Sequence, residues 1–284
     1  MTYQTNILAR EASRQQWEAA AGGWDAHSPM LRAWLTGPTR TLFDAAGVAE
    51  GQSVLDLAAG AGDQTLMLAE RVGTKGHILA TDLSPSLIES LKRNAQDAGL
   101  ATVEAKVADA QDSLNEVDAF DAAVCRLGLM LMPEPSRCLS SVHATLKPGG
   151  RFAALVFAEP DANPCIRILM STALRHVGLP PRDPFAPGGL LSLGRPGHLD
   201  RLFEEAGFRE VSTFRIDAPF RLPSVDDYMR FLRSAAAPVI AVLSKLEPKA
   251  QQAAWRDMRE QLSEFARPED WIGPNTLLVT AGRK

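Results

Sequence analysis

The stretch VLDLAAGAGDQT, residues 54–65, places a short apolar run with one acid directly before a turn that contains two glycines. The run as a whole, residues 53–57, is typical of a buried strand, and a helical pattern follows from Asp63 or Gln64 to about Val72. A strand, a glycine-rich turn and a helix in this order bring backbone N–H groups to a ligand at the carboxyl edge of a parallel sheet. The stretch therefore predicts both a fold and a binding site.

The same alternation continues along the chain, with apolar runs of strand length separated by amphipathic segments of helix length. This order is typical of successive βα units on a parallel sheet. We predict a doubly wound α/β fold with a mainly parallel, seven-stranded sheet and helices on both faces. The predicted strands are residues 53–57, 77–81, 102–107, 119–125, 152–157, 210–216 and 275–281.

Several element ends carry recognisable signals. Ser84 is predicted to cap a helix that has Pro85 in its first position. Ser224 and Asp227 resemble a capping box at the start of another helix. The sequence LKPGG, residues 146–150, predicts a turn before the fifth strand.

Segments outside the alternation predict additions to the core. The N-terminal pattern is helical, with interruptions near residues 22–23 and near Pro29. The sequence LPPRDPFAPGG, residues 179–189, is too rich in proline and glycine for regular structure, but its neighbourhood holds enough Leu and Phe to pack as a lid. The predicted regions are an N-terminal helical cap (1–48), a cofactor-binding core (49–158), a lid insertion (159–196) and the C-terminal part of the core (197–284) with inserted helices at 224–266.

The composition excludes several classes of partner. The 284 residues carry a formal net charge of −4 without a block of Lys and Arg, so nucleic acid is a poor candidate. The three cysteines lack the spacing of a zinc site or a disulfide framework and are expected to be reduced. Because no run approaches about 18 apolar residues, we expect a cytoplasmic protein without a membrane span, as a monomer or homodimer.

The glycine turn argues against a phosphate ligand. Dinucleotide-binding folds use GxGxxG, whereas Gly60, Gly62 and Thr65 give GxGxxT here. Asp63 would face a diphosphate at the helix N-terminus and repel it. A nucleoside-like ligand without phosphates fits this turn better.

Three aspartates at the ends of successive predicted strands support a nucleoside ligand that carries a cation. These are Asp56, Asp82 and Asp109. Asp82 lies 20 residues after Gly62, where a carboxylate accepts hydrogen bonds from ribose hydroxyls. Asp109, on the next strand, is placed for the exocyclic amine of a base.

Taken together, these segments resemble the class I S-adenosylmethionine-dependent methyltransferases. The resemblance is strongest to the small-molecule branch that includes the ubiquinone/menaquinone C-methyltransferases. It implies a Rossmann-like methyltransferase fold whose last strand is antiparallel. The matching segments are VLDLAAGAG (54–62), ATDLSPSLI (80–88), VADAQD (107–112), FDAAVCRLGLMLMP (120–133), LKPGGRF (146–152) and LFEEAGF (202–208).

The resemblance implies that the glycine turn holds the methionine part of the cofactor S-adenosyl-L-methionine. Gly60 and Gly62 would let the backbone approach it, with Ala61 between them, and Asp56 would orient its amino group directly or through water. Ala58 stands where this family often has glycine.

The resemblance also assigns residues to the nucleoside. Asp82 would hold the ribose hydroxyls, and Leu83 would lie against one face of the adenine. Asp109 and the Ala110 backbone would bind the adenine edge.

Four further residues complete the predicted site. Arg126 and Leu127, just after the fourth strand, would line the methionine end beside the transferable methyl group, and Arg126 is also a candidate catalytic residue. Trp24 is expected to close over the cofactor. His27 is the favoured candidate for a general base, since the segment before the first strand often folds over the cofactor in the family.

The predicted reaction is methyl transfer to a small, largely apolar acceptor, with aromatic and quinone-like molecules among the candidates. In-line displacement at a sulfonium needs alignment of donor and acceptor, exclusion of water and, for some acceptors, removal of a proton. No sequence motif requires a metal. We expect the N-terminal helices, the 160–195 insertion and the 224–266 helices to build the acceptor pocket.

Two other functions stay open at this stage. The chain could bind S-adenosylmethionine as a catalytically silent scaffold or sensor, because the turn and the acids predict binding alone. A nucleotide-dependent oxidoreductase is disfavoured by Thr65 and by the LKPGG turn.

Overall fold

The computed structural model describes residues 3–112, 114 and 116–284. The strands are β1 (Ser53–Leu57), β2 (His77–Asp82), β3 (Val103–Val107), β4 (Phe120–Arg126), β5 (Leu146–Phe157), β6 (Arg209–Asp217), β7 (Phe220–Leu222), β8 (Trp271–Gly273) and β9 (Thr276–Arg283). The helices are α1 (Tyr3–Ala26), α2 (Ser28–Ala45), α3 (Asp63–Val72), α4 (Pro85–Asp97), α5 (Pro135–Thr145), α6 (Pro164–His176), α7 (His198–Glu205), α8 (Val225–Ala235), α9 (Ala237–Leu243) and α10 (Pro248–Leu262).

Seven strands form one sheet in the order β3-β2-β1-β4-β5-β9-β6. The first five pair in parallel, and β9 runs antiparallel between β5 and β6. The predicted doubly wound, mainly parallel sheet with an antiparallel last strand is confirmed. Because β1 has β2 on one side and β4 on the other, the crossovers diverge at its carboxyl end, where open α/β sheets bind ligands.

The predicted helix caps are present. Ser84 Oγ accepts a hydrogen bond from the Leu87 amide at 3.2 Å, and Ser224 Oγ accepts one from the Asp227 amide at 3.3 Å. The LKPGG turn takes the form of an irregularity within β5, where the pairing with β4 moves from Leu146 to the residues from Arg151 onward.

Two details differ from the sequence prediction. α1 continues without a break through the two glycines at residues 22–23, whereas the predicted interruption near Pro29 is present, at His27. A Cβ atom at Gly23 would lie 2.0 Å from the Ser234 carbonyl oxygen, so this glycine allows α1 and α8 to pack closely. The small β7–β8 sheet was also missed, because strands of three residues give too short a pattern.

The segments added to the core form a second apolar cluster beside the sheet. Side chains of α6, α8, α9 and α10 pack there around Leu31 of α2 and the fully buried Trp271. From the lid region, Leu191 and Leu193 instead join the main core. Within the described residues, no helix is both long and apolar enough to cross a membrane.

Candidate functional site

A cavity lies at the carboxyl ends of β1, β2, β3 and β4, beneath α1 and α2. Its walls combine the glycine turn and the strand ends with side chains of the two N-terminal helices. The described lining consists of Arg10, Ser13, Trp17, Trp24, Leu35, Ala58, Ala59, Gly60, Ala61, Asp63, Asp82, Leu83, Leu87, Ala108, Asp109, Ala110, Gln111, Arg126, Leu127, Gly128, Leu131, Met132 and Pro133.

The turn after β1 is held open by a carboxylate of the next strand. The Gly60 amide donates a hydrogen bond to Asp82 Oδ2 at 3.0 Å, and the Ser84 amide donates to Asp82 Oδ1 at 2.9 Å. Gly60 has a φ of +59°, and no atom lies within 4 Å of the position its Cβ would take. The turn therefore presents bare backbone to the cavity.

Asp82 is a half-buried acid that can accept a further hydrogen bond. Burial raises its pKa, while the amides of Ser84, Gly60 and Leu83 act in the opposite direction. A carboxylate offers about four acceptor sites, so Asp82 can accept a further hydrogen bond from a ligand hydroxyl.

Asp56 lies beneath the turn instead of on the cavity wall. Its carboxylate accepts hydrogen bonds from Gln64 Nε2 and, at 2.7 Å, from Thr65 Oγ1, both at the start of α3. Burial raises its pKa to about 7. The structure gives Asp56 a role in joining β1 to α3 and does not bring it to the cavity as the resemblance implied.

Gly62 is also absent from the described lining. With a φ of +98° it caps α3, and a Cβ there would lie 2.9 Å from Cγ of Leu91. Its lack of a side chain serves the packing of the turn against α4. Asp63, the next residue, does reach the cavity, and Arg32 Nη2 donates to its Oδ1 at 3.0 Å.

Asp109, at the end of β3, is paired with the N-terminal helix. Arg10 Nε donates to Asp109 Oδ2 at 2.5 Å, and Arg10 also forms an ion pair of 2.7 Å with Asp112. The Gln111 amide donates to Asp109 Oδ1 at 2.8 Å. Burial opposes the charge on Arg10, but its hydrogen bonds to Asp112 and Asp109 raise its pKa overall.

α1 crosses the cavity from this ion pair toward α4 and α8. Glu18 accepts hydrogen bonds from the hydroxyls of Ser84 and Ser86 at the start of α4. Trp24 donates from Nε1 to the Ala235 carbonyl at 3.0 Å and meets Trp17 edge to face at 5.9 Å. The two indoles thus form part of the roof.

Arg126 and Leu127 line the cavity at the end of β4. Arg126 Nη1 donates to Thr39 Oγ1 of α2 at 3.0 Å. Burial lowers the pKa of Arg126, whereas Asp63 and Asp56 raise it. Leu127 has a φ of +58° and Ala58 one of +52°, so two non-glycine residues at this end of the cavity adopt left-handed backbone.

His27 lies away from the cavity. Its Nε2 is 3.0 Å from Ser234 Oγ, and its ring meets Phe231 edge to face at 5.4 Å. The geometry does not support His27 as a base for chemistry inside the cavity.

Residues 159–196, predicted as a lid, and the C-terminal helices lie outside the cavity lining. No described residue of 159–196 or 224–266 lines it, contrary to the expectation for the acceptor pocket. The apolar side chains of α6, α8 and α10 pack against one another. Ser192 Oγ donates a hydrogen bond to the Met130 carbonyl at 2.6 Å. The remaining wall is apolar and comes from α1, α2 and the segment after β4.

The structure brings most of the predicted residues together at this cavity: Trp24, Ala58, Gly60, Ala61, Asp82, Leu83, Asp109, Ala110, Arg126 and Leu127. It adds Arg10, Asp63 and Leu35, which the sequence prediction did not include. Asp63 had a visible signal, as a charge directly after the glycine turn. Arg10 and Leu35 had none, because their positions depend on how the N-terminal helices fold back.

A family model described as a methyltransferase domain matches residues 49–176. The matched part of the chain is therefore similar to a methyltransferase domain. The matched residues include the glycine turn, all three aspartates and the end of β4.

Sequence relatives agree with this domain. The ubiquinone/menaquinone biosynthesis C-methyltransferase UbiE of Escherichia fergusonii is 33% identical over 126 residues, which are 44% of this chain and 50% of that protein. The chain therefore spans about half the length of this curated relative.

Solved structures share the fold of this chain. The YcgJ protein of Bacillus subtilis has a TM-score of 0.58 and 17% identity, with 87% of this chain and 97% of that chain covered. The [4+2]-cyclase SpnF has a TM-score of 0.57 and 19% identity, with 96% of each chain covered.

Proposed function

We propose that this protein transfers a methyl group from S-adenosylmethionine to a small, largely apolar acceptor. The observation that supports the proposal is that one cavity has a polar wall and an apolar wall. One wall holds the Gly60 turn and the carboxylates of Asp82 and Asp109, and the other holds Trp17, Trp24, Leu35 and Met132.

The polar wall fits the cofactor. Asp82 retains acceptor capacity for a ribose hydroxyl, Asp109 would accept from an adenine amine in place of its 3.2 Å contact with Gln111 Nε2, and the open space at Gly60 admits a chain along the backbone. The cofactor supplies a sulfonium methyl group as the electrophile. The residues of this chain bind it, orient it and exclude water from it.

The apolar wall supports an aromatic or quinone-like acceptor. Indole and aliphatic side chains bury flat apolar molecules well. The name of the E. fergusonii relative points in the same direction, since that protein methylates carbon in quinone biosynthesis.

The described lining holds no His, Cys, Lys, Tyr or Glu. Its acids are engaged by Arg32, by backbone amides or by Arg10. We therefore propose that no side chain of the cavity removes a proton from the acceptor. The acceptor reacts either as a neutral nucleophile or after it has ionised in solution, so its own pKa sets the pH dependence of the rate. His27 is not needed in this scheme.

Calorimetric titration with S-adenosylmethionine, S-adenosylhomocysteine and NADH tests the binding step. Methyl-labelled S-adenosylmethionine, supplied with a panel of apolar phenols, hydroquinones and amines, tests transfer. The proposal predicts binding of the first two ligands and label transfer to at least one acceptor class. Binding without transfer to any acceptor favours the silent scaffold, and binding of NADH alone favours the oxidoreductase.

The same assay tests the absence of a side-chain base. The rate with a phenolic acceptor should rise with the ionised fraction of that phenol, and His27→Ala should turn over at the wild-type rate. A large loss of turnover in His27→Ala, with unchanged cofactor affinity, would support His27 as a general base.

A further inference from the structure

We propose that Arg126 anchors a carboxylate within the cavity, so that a ligand bound there presents an anionic group to the end of β4. The inference deepens the proposed function and rests on it for the identity of the cofactor. It concerns a side chain whose hydrogen-bonding capacity the folded chain leaves largely unused.

The guanidinium of Arg126 has donors to spare. A guanidinium carries five N–H donors in a planar fork. Among the described residues, the hydroxyl of Thr39 is its one hydrogen-bond acceptor, at 3.0 Å. At least two donors of the fork can therefore point together at a carboxylate, which is the geometry that arginine binds best.

The acids near Arg126 are engaged elsewhere. Asp56 accepts from Gln64 and Thr65, and Asp63 accepts from Arg32. Neither acid lies within salt-bridge distance of Arg126, and no described residue forms an ion pair with it. A bound carboxylate would supply the missing partner.

The local charge balance favours an anion. Burial raises the pKa of Asp56 to about 7, so this acid is partly protonated near neutral pH. Asp63 is shared between two cations, since Arg32 contacts it and Arg126 is near it. Burial also lowers the pKa of Arg126, and a partner carboxylate would offset that cost.

The other cation of the lining provides a contrast. The guanidinium of Arg10 forms close ion pairs with Asp109 and with Asp112. In the described lining, Arg126 is thus the cation that remains available to a ligand.

The carboxylate has two possible sources, the α-carboxylate of the cofactor and an acidic group on the acceptor. The first experiment addresses the cofactor. Binding of S-adenosylhomocysteine is compared by calorimetry with that of its decarboxylated analogue, S-adenosyl-3-thiopropylamine. If Arg126 holds the α-carboxylate, wild type should prefer the carboxylate form by about 10- to 100-fold, as expected for a charge-assisted hydrogen bond. The preference should fall below about threefold in Arg126→Met.

The second experiment addresses the acceptor. Protein saturated with S-adenosylhomocysteine is titrated with 2-naphthoate and with the neutral 2-naphthalenemethanol. If Arg126 holds an acceptor carboxylate, wild type should prefer 2-naphthoate by about tenfold or more, and Arg126→Met should lose the preference.

Two variants make these experiments interpretable. Arg126→Lys keeps the charge without the fork and should show an intermediate preference. Arg182→Met, at an exposed arginine of the lid, should match wild type in both experiments. Thermal unfolding establishes that each variant is folded before its affinities are compared.

The outcomes separate the two proposals. Loss of preference in either experiment supports Arg126 as the anchor and identifies the source of the carboxylate. Unchanged preferences in both experiments for a folded Arg126→Met overturn the inference and leave the proposed function standing. Failure of wild type to bind S-adenosylhomocysteine overturns the proposed function, and 2-naphthoate binding to the unliganded protein then still tests Arg126.

Discussion

Arg10 Nε donates a hydrogen bond of 2.5 Å to Asp109 Oδ2 and so joins the N-terminal helix to the end of β3. The two side chains are only 18% and 12% exposed, so water screens their interaction weakly. Because Asp109 is also the acid proposed for the adenine amine, one carboxylate serves both the cofactor and the helix that covers it. Binding of the cofactor and closure of α1 are therefore expected to influence each other.

Removal of the Arg10–Asp109 ion pair should weaken the packing of α1 over the cavity. In Arg10→Gln we expect S-adenosylhomocysteine to dissociate about 5- to 30-fold faster, because roughly 1–2 kcal/mol of charge-assisted hydrogen bonding is lost. Stopped-flow displacement measures the rate. Arg14→Gln is the matched control, since Arg14 pairs with Glu11 on the exposed side of the same helix. Equal dissociation rates in the two variants would show that Arg10 does not slow the dissociation of the cofactor.

Asp82 should contribute to affinity through its charge. Asp82→Asn keeps the shape but turns one acceptor oxygen into a donor that faces a backbone amide, either Gly60 or Ser84. We expect affinity for S-adenosylhomocysteine to fall about 10- to 100-fold, measured by calorimetry. Asp97→Asn, at an exposed acid at the end of α4, should bind as wild type does. A loss below twofold in Asp82→Asn would show that the ribose is held elsewhere.

The turn after β1 and the segment after β4 fit together through Ala58 and Gly128. A Cβ at Gly128 would lie 2.4 Å from Cβ of Ala58. Gly128→Ala should therefore lower the free energy of unfolding by about 1–3 kcal/mol, measured in urea. Ala58→Gly, which also relieves a φ of +52°, should restore most of that loss in the double variant. Strictly additive effects would mean that the two residues do not interact.

Asp56 should give stability a specific dependence on pH. Its pKa is raised by burial from 3.8 to about 7, so between these values the folded state holds a proton that the unfolded state has released. The stabilisation is fully present below pH 4 and is lost as the pH rises through about 7.

Asp56→Asn resembles the protonated acid and should remove this dependence. Between pH 4.5 and 8, the free energy of unfolding of wild type should decline relative to the variant by about 2–4 kcal/mol in urea titrations. Asp97→Asn should follow wild type. Parallel curves for wild type and Asp56→Asn would mean that Asp56 stays ionised in the folded protein.

The protonated form of Asp56 also has a partner at hand. Gln64 Oε1 is buried without a hydrogen-bond partner among the described residues, while Gln64 Nε2 contacts Asp56 very closely. Rotation of the amide by half a turn would let the Asp56 hydroxyl donate to Gln64 Oε1.

The sequence by itself determined the sheet and the polar wall of the site. Strand length, alternation and helix caps are local patterns, so β1 to β5 and the caps at Ser84 and Ser224 followed from them. Parallel strands in series bring their carboxyl ends to one edge, and this placed Asp82 and Asp109 beside the Gly60 turn.

Only the tertiary structure decided which acids face the ligand and what covers them. Asp56 and Asp63 are seven positions apart on either side of one turn, and their environments depend on how α3 packs. Gln64 and Thr65 hydrogen-bond the first beneath the turn, whereas the second lies on the cavity wall. Arg10 reaches Asp109, and His27 turns to Ser234, because α1 folds back across the cavity. Contacts between residues so far apart in the chain leave no periodic trace in the sequence, since they arise from packing between whole elements.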